Sequence, residues 1–207
     1  MSTHVTVSAA ALERYLEGLF LAAGATSETA ALTAQGLVRA DMEGAGSHGT
    51  LQAPNYLRRI MAGTLMPGAP AREIHTSGAI TVFDAGLMLG QAMGGRVMDR
   101  ACALAGQHGI AAAAVRAATH FGVAGHFAAH AAGKGQIGIV LCNTRPMMPA
   151  PGGAVPVVGN NPLAIAVPVA GQPPVVFDMA MSAVAMGRIR QAAAQGRPIP
   201  PGWAVDA

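Results

Sequence analysis

Between Arg145 and Asp178 the chain carries no charged residue, and this run limits what the chain can become more than any other feature. An uncharged stretch of that length suggests a helix crossing a membrane, but Pro149, Pro151, Pro156, Pro162, Pro168, Pro173 and Pro174 interrupt it. Inside a helix each proline removes a backbone donor and clashes with the preceding turn, at a cost of about 3 kcal/mol. The run therefore predicts buried strands and loops, with no membrane partner.

Upstream the pattern is helical. Leu12, Tyr15, Leu16, Leu19 and Phe20 recur at helical spacing from Ser8, and Gly24 is placed to end that helix. Ser27 is the expected cap of a second helix carrying Leu32, Leu37 and Val38, and the two should pack as a pair. In SHGTLQAPNYLRRI, His48, Gln52 and Tyr56 lie four residues apart and would share one helical face. Pro54 predicts either a kink there or a regular helix beginning near Ala53. After Gly63, TLMPGAPA reads as a linker.

Beyond the linker the elements alternate. AITVFDA is a strand, Gln91 to Gln107 a helix, Ile110 to Ala117 a strand and Gly122 to Ala132 a helix of small residues. Strands QIGIVLCNT, LAIAVPV and PVVFDMA follow, then a helix from about Ser182 to Gln195. That order lacks the regular repeat of a doubly wound parallel sheet. It predicts an α+β protein, a helical N-terminal domain followed by a mixed sheet with packed helices. The expected limits are 1–77 for the helical domain, 78–181 for the mixed α/β domain and 182–207 for a terminal helix and proline-rich tail.

A formal charge of +3 looks basic, yet only 11% of the 207 residues are charged and the basic ones form no run, so nucleic acid is not an expected partner. Cys102 and Cys142 each sit in an apolar run and read as free buried thiols in a reducing compartment. The N-terminal MSTHVTVSAAALERYL lacks the basic start and apolar core of a leader, so the cytoplasm is the expected location.

The stretch from Thr119 to His130, THFGVAGHFAAH, sets a histidine and two glycines where a strand gives way to a helix. Two readings of His120 stand: a packed or capping residue, or an acid/base, since imidazole with a pKa of about 6.5 exchanges a proton near neutral pH. His126 and His130 would share a helix face, but no Asp or Glu occurs between residues 101 and 177 to complete a metal site. They are assigned to the outer or subunit-facing side of the helix, with no metal expected. GKGQIG at 133–138 spells a dinucleotide fingerprint in reversed context, closing a helix and opening a strand, and is assigned to helix termination.

THFGVAG, DMEGAGSHG at 41–49, FDAGLMLGQ at 83–91, GNNPLAIA at 159–166 and FDMAMSAVAMGRI at 177–189, leading into GRPIPPGWAVD, occur in one order. In that order they resemble the malate/L-lactate dehydrogenase family, non-Rossmann NAD(P)-dependent oxidoreductases of small 2-hydroxyacids and 2-oxoacids. The resemblance implies a nicotinamide cofactor, NAD or NADP, a homodimer, and His120 as the proton acceptor, with His48 a second catalytic candidate. It sets Ser47, Gln52 and Tyr56 around the substrate, Gln52 standing where many members have an arginine. It assigns the cofactor to Thr144, Asn161, Asp178, Met179, Ala180 and Arg188. Asp178 also reads as a turn residue, and Asn160–Asn161–Pro162 as an ordinary turn. Members of the family are substantially longer. The expectation is thus a C-terminally incomplete fold with apolar faces uncovered, and the alternative to a dehydrogenase is a silent remnant acting through another chain.

Overall fold

The computed structural model of the chain describes residues 5–204. The first four residues of the segment read for a leader, and Val205 and Asp206 of the expected terminal motif, lie outside them. The chain divides into two compact units, one running to Val123 and the other from Ala124. The limit expected at 77/78 falls in a hairpin turn of the first unit.

The first unit begins with α1 (Ala9–Ala22) and α2 (Ser27–Met42), packed as a pair. Ser8 Oγ accepts from the Ala11 amide and caps α1. The cap of α2 is Thr26, one residue before the expected Ser27, because Thr26 Oγ1 is the group that accepts from the Thr29 amide, at 3.2 Å. Two 3-10 turns, Gly46–His48 and Thr50–Gln52, lead into α3 (Ala53–Met61). Pro54 opens that helix, where its missing N–H has no partner to lose. Leu16, Phe20, Leu37, Val38 and Tyr56 form the core of this region, and Leu65 of the expected linker is buried in it.

Strands β1 (Arg72–Ser77) and β2 (Ile80–Asp84) pair antiparallel, and β2 pairs parallel with β3 (Ala112–Arg116) across α4 (Gly90–His108). Strand β1 was not legible in the sequence. All six of its residues are exposed at the sheet edge, so it shows no apolar alternation. Phe83, Met88, Met93 and Val97 make a second core between this sheet and α4.

In the second unit α5 (Ala124–Ala132) packs on an antiparallel sheet ordered β4 (Gly138–Leu141), β7 (Leu163–Val169), β8 (Gln172–Met179). Between β4 and β7 a two-stranded ladder, β5 (Met148–Pro149) with β6 (Pro156–Val158), occupies the proline-rich run. A helix α6 (Met186–Ala194) follows. The α+β class is as read. Mixed pairing is confined to the first sheet, because the proline run breaks the chain into hairpins that can only return antiparallel. No helix among the described residues is long and apolar enough to cross a membrane.

The two faces of the second sheet differ sharply. Ala164 and Ala166 are buried on the side facing α5, whose own Ala128, Ala131 and Ala132 are buried in turn. Gly138 belongs to this close contact: a Cβ there would strike Ala128 O and lie 2.9 Å from Ala131 Cβ. Register puts Leu141, Leu163 and Met179 abreast, then Ile139, Ile165 and Phe177, on the opposite face. Of these, Ile139, Leu141, Phe177 and Met179 are exposed.

Gly138→Val is expected to destabilise the chain by about 1–3 kcal/mol, because helix backbone rather than a flexible side chain blocks it. Ile139→Lys, one residue along on the open face, should change stability by no more than about 0.5 kcal/mol and reduce binding of an apolar dye. Urea unfolding followed by circular dichroism, with the dye titration, checks both.

Candidate active site

The His120 backbone is fixed before its side chain does anything. Residues 117–120 run against 85–90: the Leu87 amide donates to Ala117 O at 3.0 Å, and Thr119 Oγ1 donates to Met88 O at 2.7 Å. Ala117 adopts φ +50, so this turn is held by its neighbours rather than by its own preference. Gly90, first residue of α4, lies so close that a Cβ would sit 2.6 Å from His120 O and 2.7 Å from Thr119 O.

The imidazole of His120 meets Tyr56, whose Oη lies 2.5 Å from Nδ1. Tyr56 is fully buried in the helical core, and Gln91 Nε2 donates to the same Oη at 3.0 Å. Burial pushes the Tyr56 phenol up to about 12, against smaller lowering effects of the Gln91 hydrogen bond and the Arg59 charge. The phenol is therefore protonated at neutral pH, and with Gln91 Nε2 turned to its oxygen it donates to His120 Nδ1 when the ring is in its Nε2–H tautomer.

His120 as a residue is exposed, yet the ring edge bearing Nδ1 abuts buried Tyr56. Desolvation, followed by the nearby His48 and then Arg59, pushes the imidazole pKa down to about 4. It is a neutral base at pH 7. The folded value lies below the unfolded one of about 6.5. Its contribution to stability is thus complete above that value and is lost as pH falls from about 6.5 towards about 4.

His48 stacks on His120, with ring centroids 5.4 Å apart and planes at 25°. Its turn is secured from two sides. Asp41 Oδ2 accepts from Thr50 N at 3.0 Å and from Thr50 Oγ1 at 2.6 Å, and Gln52 Nε2 donates to Ser47 O at 2.7 Å. Ser47 Oγ lies 2.9 Å from His48 Nδ1. Ser47, His48, Tyr56 and His120 are thus brought together, while Gln52 spends an amide N–H on holding the turn. Arg59 is the cation whose charge reaches both Tyr56 and His120, and its guanidinium donates to Thr64 O at 3.1 Å. Exposed Arg58 turns back to Pro54 O.

In the second unit the expected cofactor residues collect at one end of the sheet. Thr144 N donates to Asn161 Oδ1 at 2.9 Å and Thr144 Oγ1 to Asn160 Oδ1 at 2.7 Å, while Met181 N donates to Asn160 O. Asn161 adopts φ +26, an unusual conformation for a turn held this closely. Asp178, Met179 and Ala180 end β8 beside them. Asp178 Oδ2 accepts from the Gly125 amide at 2.7 Å and so serves the start of α5. Arg188 is exposed on α6 and faces a cavity of about 640 Å³ that it shares with Arg197, Pro198 and Trp203. His126 is half-buried and His130 exposed on α5.

Gln91 and Asp41 were not singled out in the sequence, and Arg58 and Arg59 stood there as equal substitutes for the arginine that Gln52 replaces. A glutamine ending the FDAGLMLGQ motif at the buried start of an apolar helix is the signal that would have found the first.

The malate/L-lactate dehydrogenase family model matches residues 7–207. Malate dehydrogenase of Pyrococcus abyssi is 34% identical over 183 residues, 88% of this chain and 50% of the relative. The (2R)-3-sulfolactate dehydrogenase (NADP(+)) of Chromohalobacter salexigens is 35% identical over 201 residues, 97% of this chain and 58% of the relative. Among solved structures, malate dehydrogenase from Entamoeba histolytica superposes with a TM-score of 0.91 at 31% identity, over 96% of this chain and 55% of the other. The chain thus spans about half the length of the relatives it matches.

Gly90→Ala is expected to displace His120 and to cost about 1–3 kcal/mol, since both atoms it would strike belong to backbone. An NMR titration of the His120 ring should show a midpoint near 4. A midpoint at or above the ordinary imidazole value of about 6.5 would contradict the enclosure described above.

Proposed function

The chain belongs to the malate/L-lactate dehydrogenase family, and on that premise we propose that it transfers a hydride between a nicotinamide cofactor and a small 2-hydroxyacid or 2-oxoacid. The observation that carries this reading is the neutral His120, backed by buried Tyr56 and stacked on His48. Nδ1 is committed to Tyr56, so proton exchange with the substrate hydroxyl falls to Nε2. In oxidation His120, in the tautomer whose Nδ1–H donates to Tyr56 Oη, takes the hydroxyl proton at Nε2, and in reduction the imidazolium so formed returns a proton from Nε2 to the forming alkoxide. His48 and Ser47 orient the substrate's polar groups. Arg59 supplies the cation for the carboxylate, in place of the arginine that Gln52 replaces.

The donor set of the second unit fits a dinucleotide. Arg188 and Arg197 would take phosphate oxygens in the cavity they share, and the Asp178 carboxylate, with its second oxygen, would take a ribose hydroxyl. Thr144, Asn161, Met179 and Ala180 would border the remainder with amide and backbone groups. When bound, the nicotinamide ring supplies the hydride acceptor or donor. NAD and NADP both suit this set. The same reading takes the chain to work as a homodimer in the cytoplasm, which agrees with Cys102 and Cys142 being free thiols.

The uncovered apolar face of the second sheet favours a second reading, in which the 207 residues alone are silent and act by association with another chain. NADH and NADPH fluorescence titrations of the purified chain separate the two: saturable binding supports the first, and no binding leaves the second. Under the first reading His120→Ala abolishes turnover with cofactor affinity nearly unchanged, and Arg59→Ala raises KM about tenfold or more, with less effect on kcat. A His120→Ala preparation that keeps its kcat removes the acid/base assignment.

A further inference from the structure

Gln91 is buried, and only half of its amide has a partner. Its Nε2 donates to Tyr56 Oη, while Oε1 is buried without a hydrogen bond. An unpaired buried acceptor carries an uncompensated desolvation cost, and this one adjoins the phenol that contacts the candidate base. Rotating the amide by half a turn would bring Oε1 to Tyr56 Oη, and since the two ends have nearly the same shape, packing alone fixes neither orientation.

The two orientations have opposite effects on His120. With Nε2 towards Tyr56, the phenol oxygen accepts from Gln91, and the phenol proton must go to His120 Nδ1. Neutral His120 then carries its hydrogen on Nε2, and a proton on both nitrogens is disfavoured because the phenol would face Nδ1–H with no acceptor for its own hydrogen. With Oε1 towards Tyr56, the phenol donates to Gln91 and accepts from His120 Nδ1–H. Nε2 then bears a free lone pair, and the imidazolium formed after it takes a proton is matched by the same two hydrogen bonds. The exchange conserves protons: one moves between the ring nitrogens through solvent, and the phenol hydrogen turns from Nδ1 to Oε1.

We propose that Gln91 is a positioning residue which, through the Tyr56 hydroxyl, sets which nitrogen of His120 is free to take a proton, its amide turning from a resting to a reacting orientation. The catalytic use of that choice rests on the dehydrogenase reading; the choice itself does not. The other titratable groups around the ring are His48 from the 3-10 turn, Arg59 from α3 and Tyr56 itself. Gly36 of α2 holds the amide stem, since a Cβ there would lie 3.1 Å from Gln91 Cγ.

The test is nitrogen-15 NMR of His120 in the 207-residue chain without substrate or cofactor. The wild type should show the hydrogen mainly on Nε2. In Gln91→Glu the side chain, above its own titration, is acceptor-only, so the neutral ring should there shift to the Nδ1–H form and its titration midpoint should rise by about one unit or more. In Gln91→Met, which can neither donate nor accept there, Nε2–H should become the sole form and the midpoint fall by about half a unit. Tyr56→Phe should abolish the difference between Gln91 and Gln91→Glu. The Gln91→Met arm decides if the buried carboxylate of Gln91→Glu prevents folding. A folded Gln91→Met chain with the wild-type tautomer balance and midpoint overturns the proposal. These readouts are independent of turnover, so loss of the dehydrogenase reading and loss of this one are separately visible.

Discussion

The hydrogen bond between Tyr56 and His120 links the helical core to the chemistry. Tyr56 contributes its ring to the packing of Phe20, Leu37 and Leu65 and its hydroxyl to an imidazole 64 positions further along the chain. A side chain wholly buried among apolar groups loses little freedom to thermal motion, and its polar end must find partners because water cannot reach it. The same burial that stabilises the first unit therefore fixes the position of the imidazole and keeps it neutral. Hydrophobic packing and proton chemistry are not separate layers in this unit.

Much of this could be read from the sequence, and the part that could not has a consistent cause. The α1–α2 pair, the start of α3 near Ala53, the glycine stop after α1 and the strands of the second sheet follow from apolar spacing, proline and glycine, which act within a few residues. Strand β1 escaped because its pairing with β2 is decided across the hairpin and none of its side chains is buried. The cap of α2 moved by one residue because neighbouring Thr26 and Ser27 offer the same chemistry, and only the backbone angle at Thr26 chooses between them.

The site divides along the same line. His120, His48, Ser47 and Tyr56 were identifiable through motifs, and the structure brings those four together in the first unit. Gln52 spends an amide N–H on the Ser47 carbonyl, a backbone contact that side-chain spacing does not reveal. The influence of Arg59 on Tyr56 and His120 likewise depends on where α3 lies, and nothing in the adjacent pair Arg58–Arg59 distinguishes the two in the sequence. Asp178 shows how one residue carries two readings at once. It acts as a local structural acceptor for α5 through Oδ2, and this leaves its second oxygen, not its whole carboxylate, for a ligand.

A base held by a buried phenol faces a constraint of its own making. Moving Nδ1 away from water makes the ring reluctant to become charged, yet the proton abstraction proposed for it requires it to carry charge for part of each cycle. A rigid donor on the far side of the phenol would make that charge still less accessible, and a rigid acceptor would hold the neutral ring in its Nδ1–H form throughout. An amide, which presents either kind of group to the same oxygen, is a neutral side chain that avoids both extremes. On the role proposed for Gln91, its orphaned acceptor belongs to a group that acts in two orientations and satisfies only one at a time.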